Sequence, residues 1–187
     1  MTPAIQALLQ EAQTHMKKTL QHYDELFAKI RAGKATPALL EHLKIDYYGA
    51  PTPIKHLATF TVQDTRTLLV QPYEPQFAKS IEKAVAEANL GLSVGIEGKA
   101  VRVVFPSLTE EQRKKLVKQV RELAEEARVA VRNIRRDILE NLRRLSKDGV
   151  PEDLTRKAQE ELQKITDKHI AEIDRLAEAK EQELLTV

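Results

Sequence analysis

The stretch ARVAVRNIRRD, residues 127 to 137, places four guanidinium groups within eleven positions. Arginine grips phosphate with a planar, permanently charged fork, so such a concentration is first of all a candidate for anion binding. Other chemistries find less support. His15, His22, His42, His56 and His169 are scattered, with no HExxH pair and no ligand-spaced cluster. His15 and His22 are seven apart and could share a helix face, but two ligands do not make a zinc site. GKAT at Gly33 to Thr36 resembles the end of a phosphate-binding loop without its upstream glycine, and VGIEG lacks the third glycine of a dinucleotide fingerprint. The carboxylates fall on solvated helical faces, where nothing would raise a pKa for acid catalysis. With no cysteine in the chain, thiolate chemistry, disulfides and cysteine-ligated zinc drop out, and a reducing compartment fits. These residues argue against a hydrolytic or transfer enzyme, and no cofactor or metal is expected.

The elements that would carry the arginines are long. Thr2-Pro3 supplies a capping hydroxyl and a proline at the first helical position. Ile5, Leu8, Leu9, Ala12, Met16, Leu20, Tyr23, Phe27 and Ile30 follow at helical steps, giving a helix of about 28 residues. Thr109-Glu110-Glu111-Gln112 has the form of a capping box, and no glycine or proline interrupts the chain from there to Ser146, roughly 55 Å of helix. KDGVPED is a stop followed by a new start, and Glu152 to Leu185 reads as a third long helix. A lone amphipathic helix cannot hide its apolar stripe, so the three should pack as a bundle.

Between the first and second long helices the texture changes. Five of the six glycines and six of the eight prolines lie from Arg31 to Pro106. Strands are expected at Ile45 to Tyr48, Leu57 to Val62, Thr67 to Gln71, Leu92 to Glu97 and Ala100 to Val104, with GAPTP and EGK as turns. FAKSIEKAVAEANLG reads as a helix closed by Asn89 and Gly91, and Pro37 to Leu43 as a further short helix. The fold class is therefore α+β: a long three-helix bundle, residues 1–30 plus 107–187, with a small α+β domain, residues 31–106, inserted into it. The two linking segments, Ile30 to Thr36 and Val104 to Leu108, bridge the same two bodies and make a natural hinge, the alternative being that the bodies share a packed, fixed interface.

Charge is nearly balanced overall, 30 basic residues against 28 acidic, but it is unevenly spread. Residues 113–147 carry 12 Lys and Arg with 5 Asp and Glu, whereas residues 151–187 carry 6 and 10. On a wheel of about 100° per residue, Val120, Ala124, Ala127, Val131, Ile134, Ile138, Leu142 and Leu145 form the buried stripe. Arg121, Arg128, Arg132, Arg135, Arg136 and Arg143 collect on one flank of it, and Glu122, Glu126, Asp137 and Glu140 on the next sector. Charged helix faces are commonly just solvated, with ion pairs of a few tenths of a kcal/mol. A row of arginines about 33 Å long nevertheless suits a polyphosphate backbone better than one small ligand. No stretch approaches the ~18 apolar residues of a membrane span, and MTPAIQALLQEAQ has no signal-peptide pattern, so a cytoplasmic protein is expected.

IRAGKATPALLEHLKIDYYGAPTPIKHLA, VRVVFPSLTEEQRKKLVK and EEARVAVRNIRRD, in this order, closely resemble bacterial ribosome recycling factors. The resemblance covers essentially the whole chain. It departs from the family pattern at Val94, where a proline often follows the Leu-Gly-Leu run. It implies an L-shaped molecule, a bundle joined to a sandwich-like β/α/β domain. It further implies a monomer that acts on the post-termination ribosome with GTP-bound elongation factor G, separating the subunits and releasing mRNA and tRNA. Carried onto this chain, it assigns contact with large-subunit ribosomal RNA to Arg128, Arg132, Arg135 and Arg136. The hinge falls on Ile30, Arg31 and Gly33 on one segment and Val104, Phe105, Pro106 and Ser107 on the other. A helical adaptor that binds a protein partner is the alternative.

Overall fold

A computed structural model describes residues 2–30 and 33–186 of the 187. The chain divides into two compact units, Met1–Arg31 with Glu110–Val187, and Ala32–Thr109.

The first unit is built from α1 (Pro3–Ala28), α3 (Glu110–Lys147) and α4 (Glu152–Leu185), each packed against the other two. Thr2 opens α1 as the sequence predicts, its hydroxyl oxygen accepting the Ile5 N–H at 3.2 Å. Helix α3 ends where its backbone turns left-handed at Gly149, φ +104°. There the Val150 N–H reaches the Leu145 carbonyl at 3.0 Å and the Gly149 N–H that of Ser146 at 3.3 Å, so the last carbonyls are satisfied before Pro151 leads into α4. Ile5, Ala12, Met16 and Phe27 of α1 are buried, as are Val120, Ala124, Ala127, Val131, Ile138 and Leu142 of α3, and Ala158, Leu162, Ile173, Ala177 and Leu184 of α4. Ile134 and Leu145, expected in the same stripe, are only half-buried. Two hydroxyls enter this core without penalty because each donates to its own helix backbone: Thr155 to the Glu152 carbonyl at 2.9 Å and Thr166 to that of Leu162 at 2.8 Å.

In the second unit, β1 (Lys44–Tyr47) and β2 (Ala50–Pro53) form a two-stranded antiparallel sheet. A four-stranded antiparallel sheet contains β3 (Ala58–Asp64), β4 (Thr67–Pro72), β5 (Ser93–Glu97) and β6 (Ala100–Val104), in the order β3-β4-β6-β5. Helix α2 (Ala78–Glu87) contacts β1, β5 and β6. Ile81 and Val85 of α2 share one apolar core with Ile45, Ile54, Leu68, Val70, Val101, Val103 and Phe105. Asn89 and Gly91 close α2 with φ of 54° and 76°.

Two local expectations change. GAPTP is not a turn: Ala50 to Pro53 pair with β1, and the turn is Tyr48-Gly49, with φ of 50° and 90°. Pro51 and Pro53 oppose Asp46 and Lys44, two residues apart, so both lie at positions whose N–H would point away from β1 and no ladder bond is lost. Tyr48 holds its left-handed backbone with side-chain contacts. Its ring meets Phe77 edge-on at 5.5 Å, and its hydroxyl donates to Glu74 at 3.1 Å. The expected helix at Pro37 to Leu43 shrinks to one tight turn, Pro37–Leu39, capped by the Thr36 hydroxyl. Among the described residues no helix is long and apolar enough to cross a membrane.

Since Leu142 is fully buried, Leu142→Ala should lower stability by about 2 to 5 kcal/mol in urea denaturation followed by helical circular dichroism. Val129→Ala, on the exposed side of the same helix, should stay within about 0.5 kcal/mol of the parent.

Candidate nucleic-acid interface

The buried stripe fixes the rotation of α3 about its own axis, and with it the direction of every arginine. Two of those beside the seam with α4, Arg121 and Arg128, meet carboxylates. The Arg121 Nε lies 2.9 Å from the Glu181 carboxylate. Arg128 is more deeply engaged: its Nη2 lies 2.7 Å from Asp174 and its Nη1 3.1 Å from Glu125, with 26% of the side chain exposed. Hydrogen bonding to Asp174 and Glu125 outweighs burial and raises the Arg128 pKa further above its ordinary value. Most of its fork is occupied from within the bundle.

Arg132 is open by comparison, with one longer contact of 3.7 Å to Glu125 and about half its side chain exposed. Arg136 is exposed and Arg135 half-buried, and neither has an ion pair among the described residues. The structure thus brings Arg128, Arg132, Arg135 and Arg136 onto one side of α3 but not into one state. Glu125 was missed in the sequence: the acids counted there lie on a neighbouring sector, whereas Glu125 sits within the arginine row and serves both Arg128 and Arg132. The i, i+3 spacing of Glu125 and Arg128 was the available signal. Asp174 and Glu181 carried none, because a wheel of one helix does not say which neighbour it faces.

The linker residues are each placed within their own unit. Ile30 is buried at the end of the first unit's α1, its N–H on the Phe27 carbonyl at 3.1 Å. Arg31 lies outside the described residues. In the second unit Gly33 has φ +75°, and a β carbon there would come within 3.2 Å of Leu108 Cγ and 3.4 Å of the Pro106 carbonyl. Val104 ends β6 opposite Thr67 and Ser93, and Phe105 is buried with its N–H on the Arg66 carbonyl at 2.7 Å. Pro106 and Ser107 are exposed and outside regular structure.

An open, arginine-lined helix side can neutralise successive phosphates, and comparison with known proteins agrees with the resemblance noted in the sequence. Residues 23–185 match the family described as ribosome recycling factor. The chain is 48% identical to the ribosome-recycling factor of Thermus thermophilus over 182 residues, 97% of this chain and 98% of that one. It is 43% identical to that of Desulforamulus reducens over 183 residues, 98% and 100% of the two chains. Among solved structures, a solution structure of the ribosome recycling factor aligns over the whole of both chains with a TM-score of 0.76 at 40% identity. Models for the Thermus thermophilus ribosome recycling factor and the Escherichia coli elongation factor G bound to the post-termination complex align over the whole of both chains with a TM-score of 0.63 at 48% identity. With the family match spanning most of the sequence, its α+β fold shared and its relatives nearly half identical end to end, the chain belongs to the ribosome recycling factor family.

Proposed function

We propose that the bundle docks on large-subunit ribosomal RNA of the post-termination ribosome through Arg132, Arg135 and Arg136, with Arg128 joining the row from its anchored position. The single observation that carries this reading is the run of guanidinium groups along one side of a continuous 38-residue helix, of which Arg132 has only a 3.7 Å contact to Glu125 and Arg135 and Arg136 have no ion pair among the described residues. Elongation factor G with GTP is the partner in this reading, supported by the models of the Thermus thermophilus relative and elongation factor G bound to the post-termination complex. The outcome is separation of the subunits and release of mRNA and tRNA in the cytoplasm. The factor itself performs no catalysis; the nucleotide is hydrolysed by the partner.

The helical adaptor loses ground on two counts. The family match leaves it no support, and the exposed large apolar residues of the bundle, among those described, are Val129 and Leu185, which make no groove. The small unit acts as the moving body, joined through Ile30, Arg31 and Gly33 on one segment and Val104, Phe105, Pro106 and Ser107 on the other. Gly33 supports that role because its left-handed backbone suits glycine and its neighbours leave little room for a side chain. Pro106 fixes φ on the second segment.

Arg132→Ala with Arg136→Ala should weaken binding to large subunits and lower its salt dependence by about 1.4 to 1.8 log units per log unit of salt, as expected for two lost phosphate contacts. An unchanged slope would remove the RNA assignment. Light scattering on post-termination ribosomes should show splitting only when this protein, elongation factor G and GTP are present together; splitting that proceeds without the protein would defeat the functional reading. Gly33→Ala should leave large-subunit affinity intact while slowing that splitting, and equal rates for both forms would refute the hinge.

A further inference from the structure

The ion pairs between α3 and α4 form a ladder with a broken rung. Arg121, Arg128 and Arg135 are spaced by seven residues, so they lie nearly in line along α3. Their counter-ions run the opposite way along α4 at the same spacing: Glu181 pairs with Arg121 at 2.9 Å and Asp174 with Arg128 at 2.7 Å. The next residue in that series is Asp167, which by register belongs to Arg135. It does not pair with Arg135. The Gln163 side-chain amide donates to the Asp167 carboxylate at 2.8 Å, one turn away on α4 itself.

Arg135 is instead one wall of an open groove of about 280 Å³ between α3 and α4, and Arg156 of α4 is another. The amides of Gln159 and Gln163 line it too, together with one carboxylate, Glu160. No ion pair links Arg135 or Arg156 to Glu160 or to any other carboxylate among the described residues. The groove therefore presents two guanidinium forks from two different helices, an amide able to donate, and an unfilled counter-ion position. An anion with several acceptor oxygens satisfies such a set, since each fork can take two of them. Arg135 also stands one turn along α3 from Arg132 and next to the exposed Arg136 in sequence, so the groove continues the row rather than forming a separate pocket.

We propose that this groove is a phosphate subsite in which one RNA phosphodiester takes the place of the missing third counter-ion, held by Arg135 from α3 and Arg156 from α4. The proposal rests on the RNA-binding reading above and extends it to a second helix. Gln163 has a negative role: by keeping Asp167 on α4, it keeps Arg135 available.

The test is equilibrium binding of full-length variants to purified large ribosomal subunits over a range of salt, with thermal melting to show that each variant is folded. Arg156→Ala should bind roughly tenfold more weakly, the size of effect expected for a charge-assisted hydrogen bond, and lose about 0.7 to 0.9 from the salt slope. Arg156→Lys should keep most of the slope. Gln163→Leu removes no charge, yet it should weaken binding by releasing Asp167 to close on Arg135, and Gln163→Leu with Asp167→Asn should restore it. Parent-like binding by both Arg156→Ala and Gln163→Leu, while Arg132→Ala with Arg136→Ala is weakened, would overturn the subsite and leave the RNA reading standing. Parent-like binding by all of them would overturn both.

Discussion

The burial of one narrow apolar stripe on α3 is the constraint on which the rest of the bundle depends. A helix of 38 residues has many rotations that would be sterically acceptable, but only one puts Val120, Ala124, Ala127, Val131, Ile138 and Leu142 out of water together. At about 25 cal/mol per Å² of apolar surface, that preference is far larger than the few tenths of a kcal/mol available from any exposed ion pair. The core therefore sets the rotation, and the electrostatics must accept what the rotation gives. The helices also come close through small residues. Ala124 and Ala127 on α3 and Ala158 and Ala177 on α4 are all buried, and small side chains at a contact shorten the interaxial distance.

From that rotation follows a division among arginines that composition alone treats as equal. Residues at Arg121 and Arg128 stand beside the seam, close enough to α4 for Glu181 and Asp174 to reach them. Residues at Arg132 and Arg136 stand farther round, where the contact is long or none is made among the described residues. Pairing with α4 neutralises these two arginines and occupies their donors. The outer arginines keep their donors available for an external acceptor. Near the far end of the row the pattern changes again, because Asp167 bonds within its own helix.

How far the sequence discloses this depends on the range of the interaction. Helix starts, stops and buried stripes are local and periodic, so the capping Thr2, the stop at KDGVPED and most of the α3 stripe could be read directly. The strand Ala50–Pro53 was hidden because proline argues against a strand, and its tolerance depends on which of its edges faces β1. Pro37 to Leu43 has helical composition, yet only one turn forms, since a segment that short gains little from hydrogen bonds before tertiary contacts decide its path. Val94, where the family resemblance leads one to expect proline, sits in regular register with Val103 in an intact β5. The arginine row was legible as a row, but its pairing was not: Glu125 could be found from its spacing, whereas the facing acids of α4 lie 46 and 60 residues away in sequence.

The near balance of total charge, which alone would argue against a nucleic-acid partner, has a physical use. A protein carrying its basic residues everywhere would adhere to any polyanion, because counter-ion release rewards every phosphate neutralised regardless of arrangement. Here 30 basic residues face 28 acidic ones, and α4 supplies acids that cancel part of α3 at close range. What remains is positive charge along one side of α3, acting over a screening length of about 8 to 10 Å at ordinary salt. Phosphates can profit from it only if several lie along a path that matches the helix. On the RNA reading proposed above, selectivity for a shaped surface would come from where positive charge is left over, with the acids on α4 contributing beside the arginines.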